Sequence, residues 1–435
     1  MKNNPKILNA WAMYDWANSV HSLTITSAIF PIYFPIAAVM MPSKSTMLNF
    51  LGVQLENTVV YSYAVSLGFL LLAFSVPLVS AISDFTGKKK VFMKMYCYLG
   101  SISCMILYFF KEGNYYLGTF AFLFSIVGWG GSIVFYNSYM PEIATEDKYD
   151  SLSAKGFTMG YLGSVVLLIQ NLTMVLKPEW YGNITGGEAS RISFLTVGIW
   201  WIVFAQIPFR YLPETQKVQK RTGSWIFNGF RELKKVFAEL QHLNITKKFL
   251  LAFFFYNMGA QTFMYLGALF GGQELKLPSD ALIITILLIQ LVAIPGAYTF
   301  SKLSERLGNT KSLAIIVIIW IIVSVAGFFV YTRNEFYILA TSIGFVMGGV
   351  QSLSRSTYAK LLPENTPDTA SYFSFYDVCD RLSTVIGTFM FGLVTQLSGS
   401  MRSSLLFLTV IFMIGLVVLV RIPTKGADWG VSSSD

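Results

Sequence analysis

The 435 residues are 54% hydrophobic and only 13% charged, with a positive mean hydropathy, which excludes an ordinary soluble domain of about 25% charged residues. The apolar runs mostly reach about 20 residues, enough at about 1.5 Å per residue to cross a hydrocarbon core of about 30 Å, so the fold class is all-α integral membrane and not a barrel. The net charge of +9 does not argue for nucleic acid, because a polytopic protein gathers its basic residues in cytoplasmic loops.

The amino-terminal MKNNPKILNA lacks the charged region, short apolar region and cleavage site of a secretory signal, and is expected to be retained. The first apolar stretch, about 10–38, can cross a bilayer yet carries Tyr14, Asp15, Asn18, Ser19, His21 and Ser22. At 100° per residue Tyr14, Asp15, Asn18, Ser19, Ser22 and Thr26 fall within roughly 140°, with Trp16, Val20 and Leu23 opposite. A carboxylate near lipid costs about 2.5 kcal/mol or more, so the polar face is expected to look into a protein interior or a water-filled cavity. Asp15, near the helix end, reads as gate or entrance; Asn18 and Ser22, deeper, read as solute contacts. His21, a lone histidine inside a span, is a candidate proton carrier, against the commoner use of such a residue as a neutral packing group.

Breaking the hydropathy at charged, Gly- and Pro-containing connections predicts twelve spans, at about 10–38, 59–82, 91–110, 115–139, 154–176, 189–211, 248–271, 280–301, 312–332, 336–358, 370–397 and 402–422. With both termini cytoplasmic, that side receives Lys88, Lys89, Lys90, Lys94, Lys217, Lys220, Arg221, Arg231, Lys234, Lys235, Lys302, Arg306 and Lys311. The other side receives only Lys44, Lys111, Lys177, Arg191, Lys276, Arg333 and Arg402, and this asymmetry predicts the orientation. The longest connection divides the chain into an amino-terminal six-helix bundle (1–211), a cytoplasmic basic linker (212–247) and a carboxy-terminal six-helix bundle (248–435). In the linker Trp225, Ile226, Phe230, Leu233, Val236, Phe237 and Leu240 recur at helical spacing among Arg231, Lys234 and Lys235. That is the pattern of a basic amphipathic helix on a membrane surface, or of one packed under the bundle.

The halves repeat. After the second span stands SAISDFTGKKK (80–90) and after the eighth FSKLSERLGNTKS (300–312), matching Asp84 to Glu305, Gly87 to Gly308 and Lys90 to Lys311 at an offset of 221. Pro141, after the fourth span, matches Pro363, after the tenth, at 222. Two matches at nearly one offset indicate a duplicated six-helix unit. Asp84 and Glu305, each followed by a basic run, are candidate latch residues between helices.

Asp84, Gly87, Lys88 and Lys89 fit the G-x-x-x-D-x-x-G-(R/K)-(R/K) loop of the major facilitator superfamily, with Ser80 in place of the first glycine. Within it, Trp11-Ala12-Met13-Tyr14-Asp15-Trp16-Ala17-Asn18-Ser19 resembles the first-helix motif of the autophagy-associated vacuolar amino-acid effluxers and their bacterial relatives. Tyr136-Asn137-Ser138-Tyr139-Met140-Pro141-Glu142, Gly160-Tyr161-Leu162-Gly163, Gln351-Ser352-Leu353-Ser354-Arg355-Ser356 and Phe373-Ser374-Phe375-Tyr376-Asp377-Val378 are similar to that branch too. The resemblance implies a twelve-helix fold, alternating access, and a central cavity lined by helices one, four, seven and ten.

On those helices Asn257, Gln261 and Tyr265 follow at i+4 steps on one face of the seventh, Tyr136 and Asn137 stand on the fourth, and Gln351, Ser352 and Arg355 on the tenth. The eleventh span is the most polar, with Asp377, Asp380, Arg381, Thr384 and Thr388 on one face; Asp377 and Arg381 can pair at i, i+4. A carboxylate held by arginine stays ionised, which favours a charged gate, together with Arg355, over a proton carrier. Gly156, Gly160 and Ser164 form a small-residue packing stripe. Cys97, Cys104 and Cys379 have no metal spacing, and neither a nucleotide loop nor a catalytic constellation is present. The reading is therefore no enzyme, no metal and no cofactor, but a secondary transporter of a small polar solute in the cell membrane. Amino acids are the candidate class, efflux the candidate direction, and a proton or other ion the candidate coupling partner. Lipid is the surrounding partner and a monomer the expected state. The alternative is a transport-silent receptor or assembly protein that retains the fold.

Overall fold

The computed structural model describes residues 2–39, 46–214 and 225–423; Lys44, Lys217, Lys220 and Arg221, used above for orientation, lie outside them. Twelve helices among these are long and apolar enough to cross a membrane: Pro5–Ala37, Asn57–Thr86, Lys89–Phe109, Tyr115–Ile143, Glu146–Leu176, Gly186–Tyr211, Asn244–Gly267, Ala281–Leu307, Asn309–Phe328, Arg333–Lys360, Thr369–Ser398 and Met401–Leu419. Each predicted run falls on one of them. Several helices run beyond the apolar run because polar caps end them. Thr332 and Glu335 form a capping box that starts the tenth span. Gly87, in the left-handed conformation (φ 66°), ends the second span, its own N–H bonding Asp84 O and the Lys88 N–H bonding Ser83 O. Its repeat partner Gly308 also has a positive φ, 82°, after the eighth.

Two local features depart from the sequence reading. A hairpin of β1 (Met47–Phe50) and β2 (Val53–Glu56) precedes the second span, so the chain is not wholly helical. Its turn residues Leu51 and Gly52 both have positive φ, as a two-residue hairpin turn requires. In the first span the stretch His21–Ile29 is π-helical, so a 100° wheel loses phase after Val20. The predicted division into a wet and a greasy face is corrected accordingly: Val20 and Leu23 are as buried as Tyr14, Asp15 and Asn18.

The chain forms two compact units. One comprises Pro5–Tyr139 and Met159–Phe230; the other comprises Met1–Asn4, Met140–Thr158 and Arg231–Asp435. Segment 140–158, which belongs to the first half by sequence, therefore packs with the second half, and the fifth span contributes to both units. In the first unit Gly128 lies against the backbone of Gly100, and in the second Gly348 lies against Ala293, so closely that a Cβ on either glycine would overlap its neighbour. Small residues at such crossings let membrane helices pack backbone to backbone.

Candidate functional site

The seventh and eleventh spans bring together residues that sequence spacing had put in separate roles. Asn257 Nδ2 donates to Asp380 Oδ1 (2.9 Å) and Ser383 Oγ (2.8 Å), and Gln261 Nε2 donates to the same Asp380 oxygen at 3.2 Å. Their i, i+4 spacing is what lets two amides reach one carboxylate. Arg381 Nη2 donates to Asp377 Oδ1 at 3.0 Å, and its Nη1 stands 3.6 Å from Asp380 Oδ2. One guanidinium thus faces two carboxyl groups. With both ionised the cluster carries one net negative charge inside membrane-spanning helices. Asp377 is 6% exposed and its Oδ2 has no hydrogen-bond partner, whereas the Asp380 side chain keeps 19% of its surface. Asp380 lies about 17 Å along a helix about 45 Å long, level with the middle of the seventh span.

A second charged site is built from helix ends. Asp150, in the first turn of the helical stretch Tyr149–Leu176, accepts from Ser304 Oγ (2.8 Å), Asn309 Nδ2 (2.8 Å) and Lys360 Nζ (2.6 Å). Lys360 also donates to Asn309 Oδ1 (2.8 Å), and Asn309 Nδ2 also reaches Thr357 Oγ1 at 3.0 Å. Here the charges of Asp150 and Lys360 match one another. Arg355, three per cent exposed, donates from Nε to Ser153 Oγ (2.9 Å) and from Nη2 to Ser153 O (2.8 Å), with its guanidinium 4.1 Å from the centroid of the Phe157 ring. These contacts tie the eighth, ninth and tenth spans to segment 140–158. The sequence reading placed the latch on Asp84 and Glu305. Glu305 is exposed on the wall of a cleft of about 450 Å³ beside Asp150, and Asp84 is buried at the end of its helix. Asp150, Lys360 and Asn309 were missed.

In the other unit the first span makes a largely uncharged cluster. Tyr136 Oη donates to Asp15 Oδ2 at 2.8 Å, and the Trp11 ring stacks on Tyr136 at 4.3 Å. His21 Nε2 lies 2.9 Å from Ser125 Oγ. Because that hydroxyl donates to Phe122 O, it accepts from the imidazole, and Nδ1 has no hydrogen-bond partner beside the Trp129 and Trp201 rings. The ring is buried and packed between aromatic neighbours. Asn18 is buried with no partner for Nδ2, while the Ser22 hydroxyl is spent on Ser19 O. Asn137 is buried and Gln351 half-buried.

The linker helix Trp225–His242 is held at the start of the eleventh span. Lys235 Nζ donates to Glu232 Oε1 (2.7 Å) and Asp368 Oδ2 (2.9 Å), and Tyr372 Oη donates to Glu239 Oε2 (2.8 Å). Burial, with the Glu232 charge beside it, raises the Asp368 carboxyl above the usual range despite Lys235. Burial opposes the Lys235 charge, but its bonds to Glu232 and Asp368 outweigh that and push its pKa up. Among the described residues no three His, Cys, Asp or Glu side chains are placed to hold a metal ion.

The profile of the family described as "Vacuole effluxer Atg22 like" matches residues 3–428. YxiO, an uncharacterized MFS-type transporter of Bacillus subtilis (strain 168), is 29% identical over 427 residues, 98% of this chain and 96% of its own. Autophagy-related protein 22 of Vanderwaltozyma polyspora is 24% identical over 421 residues, 85% of this chain and 78% of its own. Among solved structures, the human organic anion transporter MFSD10 (TETRAN) matches with a TM-score of 0.72 at 13% identity, over 96% of this chain and 100% of that one. FucP in its outward conformation matches at 0.70 and 14%, over 97% and 99%. At such identities these structures show the fold, that of the major facilitator superfamily.

Proposed function

The chain belongs to the Atg22-like vacuole effluxer family of the major facilitator superfamily, and on that premise we propose that it is a secondary transporter of a small polar solute working by alternating access. It is a multi-pass membrane transporter and not an enzyme. The observation that carries the finer reading is the cluster on the seventh and eleventh spans, where Asn257, Gln261, Asp380 and Arg381 converge on one point with an unmatched negative charge. A solute that brings an ammonium group, or a coupling proton or other ion, supplies the missing positive charge there, and the amides orient the rest. Amino acids have that chemistry and are the first class to test. Asn18, Ser22, Asn137 and Gln351 remain proposed as further solute contacts, and Asp15 and Arg355 as gate residues; Asp84 and Glu305 keep only a minor claim as gate residues beside the Asp150–Lys360 pair. His21 is the weakest candidate for proton coupling. The matched Asp150–Lys360 pair suits a latch that opens and closes during the cycle. We place both termini in the cytoplasm, the protein in the cell membrane, and its working state as a monomer.

The test begins with thermal unfolding of the purified protein against amino acids, nucleosides, sugars and organic acids at two pH values, since a bound solute stabilises in proportion to its excess over its dissociation constant. The stabilising solute is then followed across proteoliposomes. Flux should be lost in Asn257→Leu and Gln261→Leu while both variants stay folded. Wild-type flux in both would remove this site from the mechanism.

A further inference from the structure

One surface of the linker helix has no use in the transport cycle proposed above. The inner face of Trp225–His242, formed by Gly229, Glu232, Val236 and Leu240, is buried. At 100° per residue Phe237, Phe230, Lys234 and Phe227 fall on one flank of the same helix, within about 80° of one another, and Arg231 lies next to them. The three phenyl groups are open, at 50%, 54% and 78% exposure for Phe237, Phe230 and Phe227, and Arg231 and Lys234 are exposed as well. Phe237 rests one side on Phe375, 5.9 Å between ring centroids, and the apolar ring surface that remains open on this flank is costly to leave in water.

The level of this flank is fixed by what holds the helix. It ends at His242, and the seventh span begins at Asn244, with Leu243 and Lys247 continuing the backbone hydrogen bonds across the join. Lys235 is bonded to Asp368, the residue before the eleventh span starts at Thr369. A helix pinned at the starts of two spans lies in the plane where those spans leave the bilayer. Aromatic rings beside exposed cations at that depth match the acyl boundary and the phosphates of a lipid leaflet.

We infer that the Phe227, Phe230 and Phe237 flank of the linker helix seats in the lipid headgroup region, with Arg231 and Lys234 selecting anionic lipid. Because Lys235 joins the same helix to the head of the eleventh span, which carries Asp377, Asp380 and Arg381, leaflet charge acts on the span that holds the intramembrane cluster. The inference does not depend on the transport reading, and the readout below involves no solute.

The test uses the full chain in nanodiscs with a nitroxide at Phe230→Cys, or at Phe237→Cys should the first variant not fold, in a Cys379→Ser background. Collisions with oxygen and with a water-soluble nickel chelate are compared in phosphatidylcholine alone and with phosphatidylglycerol added. The expected result is oxygen-favoured contact, with an oxygen-to-nickel ratio at least about twofold higher in anionic discs and no such rise in Arg231→Gln/Lys234→Gln. A nickel-favoured label, a label closed to both probes, or a ratio indifferent to lipid charge would overturn the proposal. A closed label would mean that protein covers the flank, and a free phosphate salt that abolished the lipid effect would assign the cations to a soluble anion.

Discussion

Two carboxylate–cation sites in the same compact unit differ in how completely they are satisfied. Asp150 meets one ammonium and two further donors within 2.8 Å. Asp377 and Asp380 share one guanidinium, and Asp377 Oδ2 is left bare. A buried carboxylate held by an ammonium and two neutral donors makes a firm closure, which suits a latch that holds one conformation. A buried cluster with an oxygen and a charge to spare has capacity for something that is not always there.

The largest effect expected from this contrast is at the satisfied site. Lys360→Met leaves Asp150 buried without its counter-charge and should cost about 3–5 kcal/mol, read as a lowered thermal midpoint. Asp150→Asn with Lys360→Met should recover most of it. A double variant as unstable as the sum of the singles would end the view of these residues as a pair. At the unsatisfied site the same Asp→Asn change should separate stability from flux. Asp380→Asn should keep the fold and cut solute flux about tenfold or more, equivalent to about 1.4 kcal/mol or more of barrier. Asp377→Asn removes the acid whose Oδ2 is bare and leaves Arg381 with Asp380, and unfolding scans should show it at or above wild-type stability; a fall as deep as that of Lys360→Met would erase the distinction. Tyr136→Phe, which strips one donor from Asp15, should cost about 1 kcal/mol. The smallest effect is at Asp368. Its carboxyl is raised, so the stabilisation it gives is full below the ordinary aspartate value of about 3.9 and fades as pH rises through the raised value. Asp368→Asn should therefore match wild type at pH 4 and equal or slightly exceed it at pH 7 in thermal scans.

The twelve spans were legible because hydropathy is a local property, and so was the shared face of Asn257 and Gln261, one helical turn apart. The Asp377–Arg381 pair could be read for the same reason. That these two groups meet on Asp380 could not be read, since the partners stand 123 and 119 residues apart. Asp150 was hidden in another way: it lies in a polar approach to the fifth span, where an acid at a helix start is ordinary, and its partners are 154, 159 and 210 residues distant. The duplicated loop drew attention to Asp84 and Glu305 instead, because a repeat marks shared ancestry and not shared contacts. The π stretch at His21–Ile29 has no periodic signature of its own, and the hairpin turn uses Leu51 where Asn or Asp would have signalled it.

In the proposed transport cycle the odd charge between the seventh and eleventh spans would also make the membrane potential a participant. A unit charge crossing the full field exchanges about 2.3 kcal/mol per 100 mV. An empty cluster of two acids and one base feels that field, and one that has taken up a cation does not. Voltage would thus bias the empty carrier and leave one loaded with a net cation indifferent, whereas a zwitterionic solute alone would leave the charge unchanged, so the direction of net transport would depend in part on the cell's electrical state.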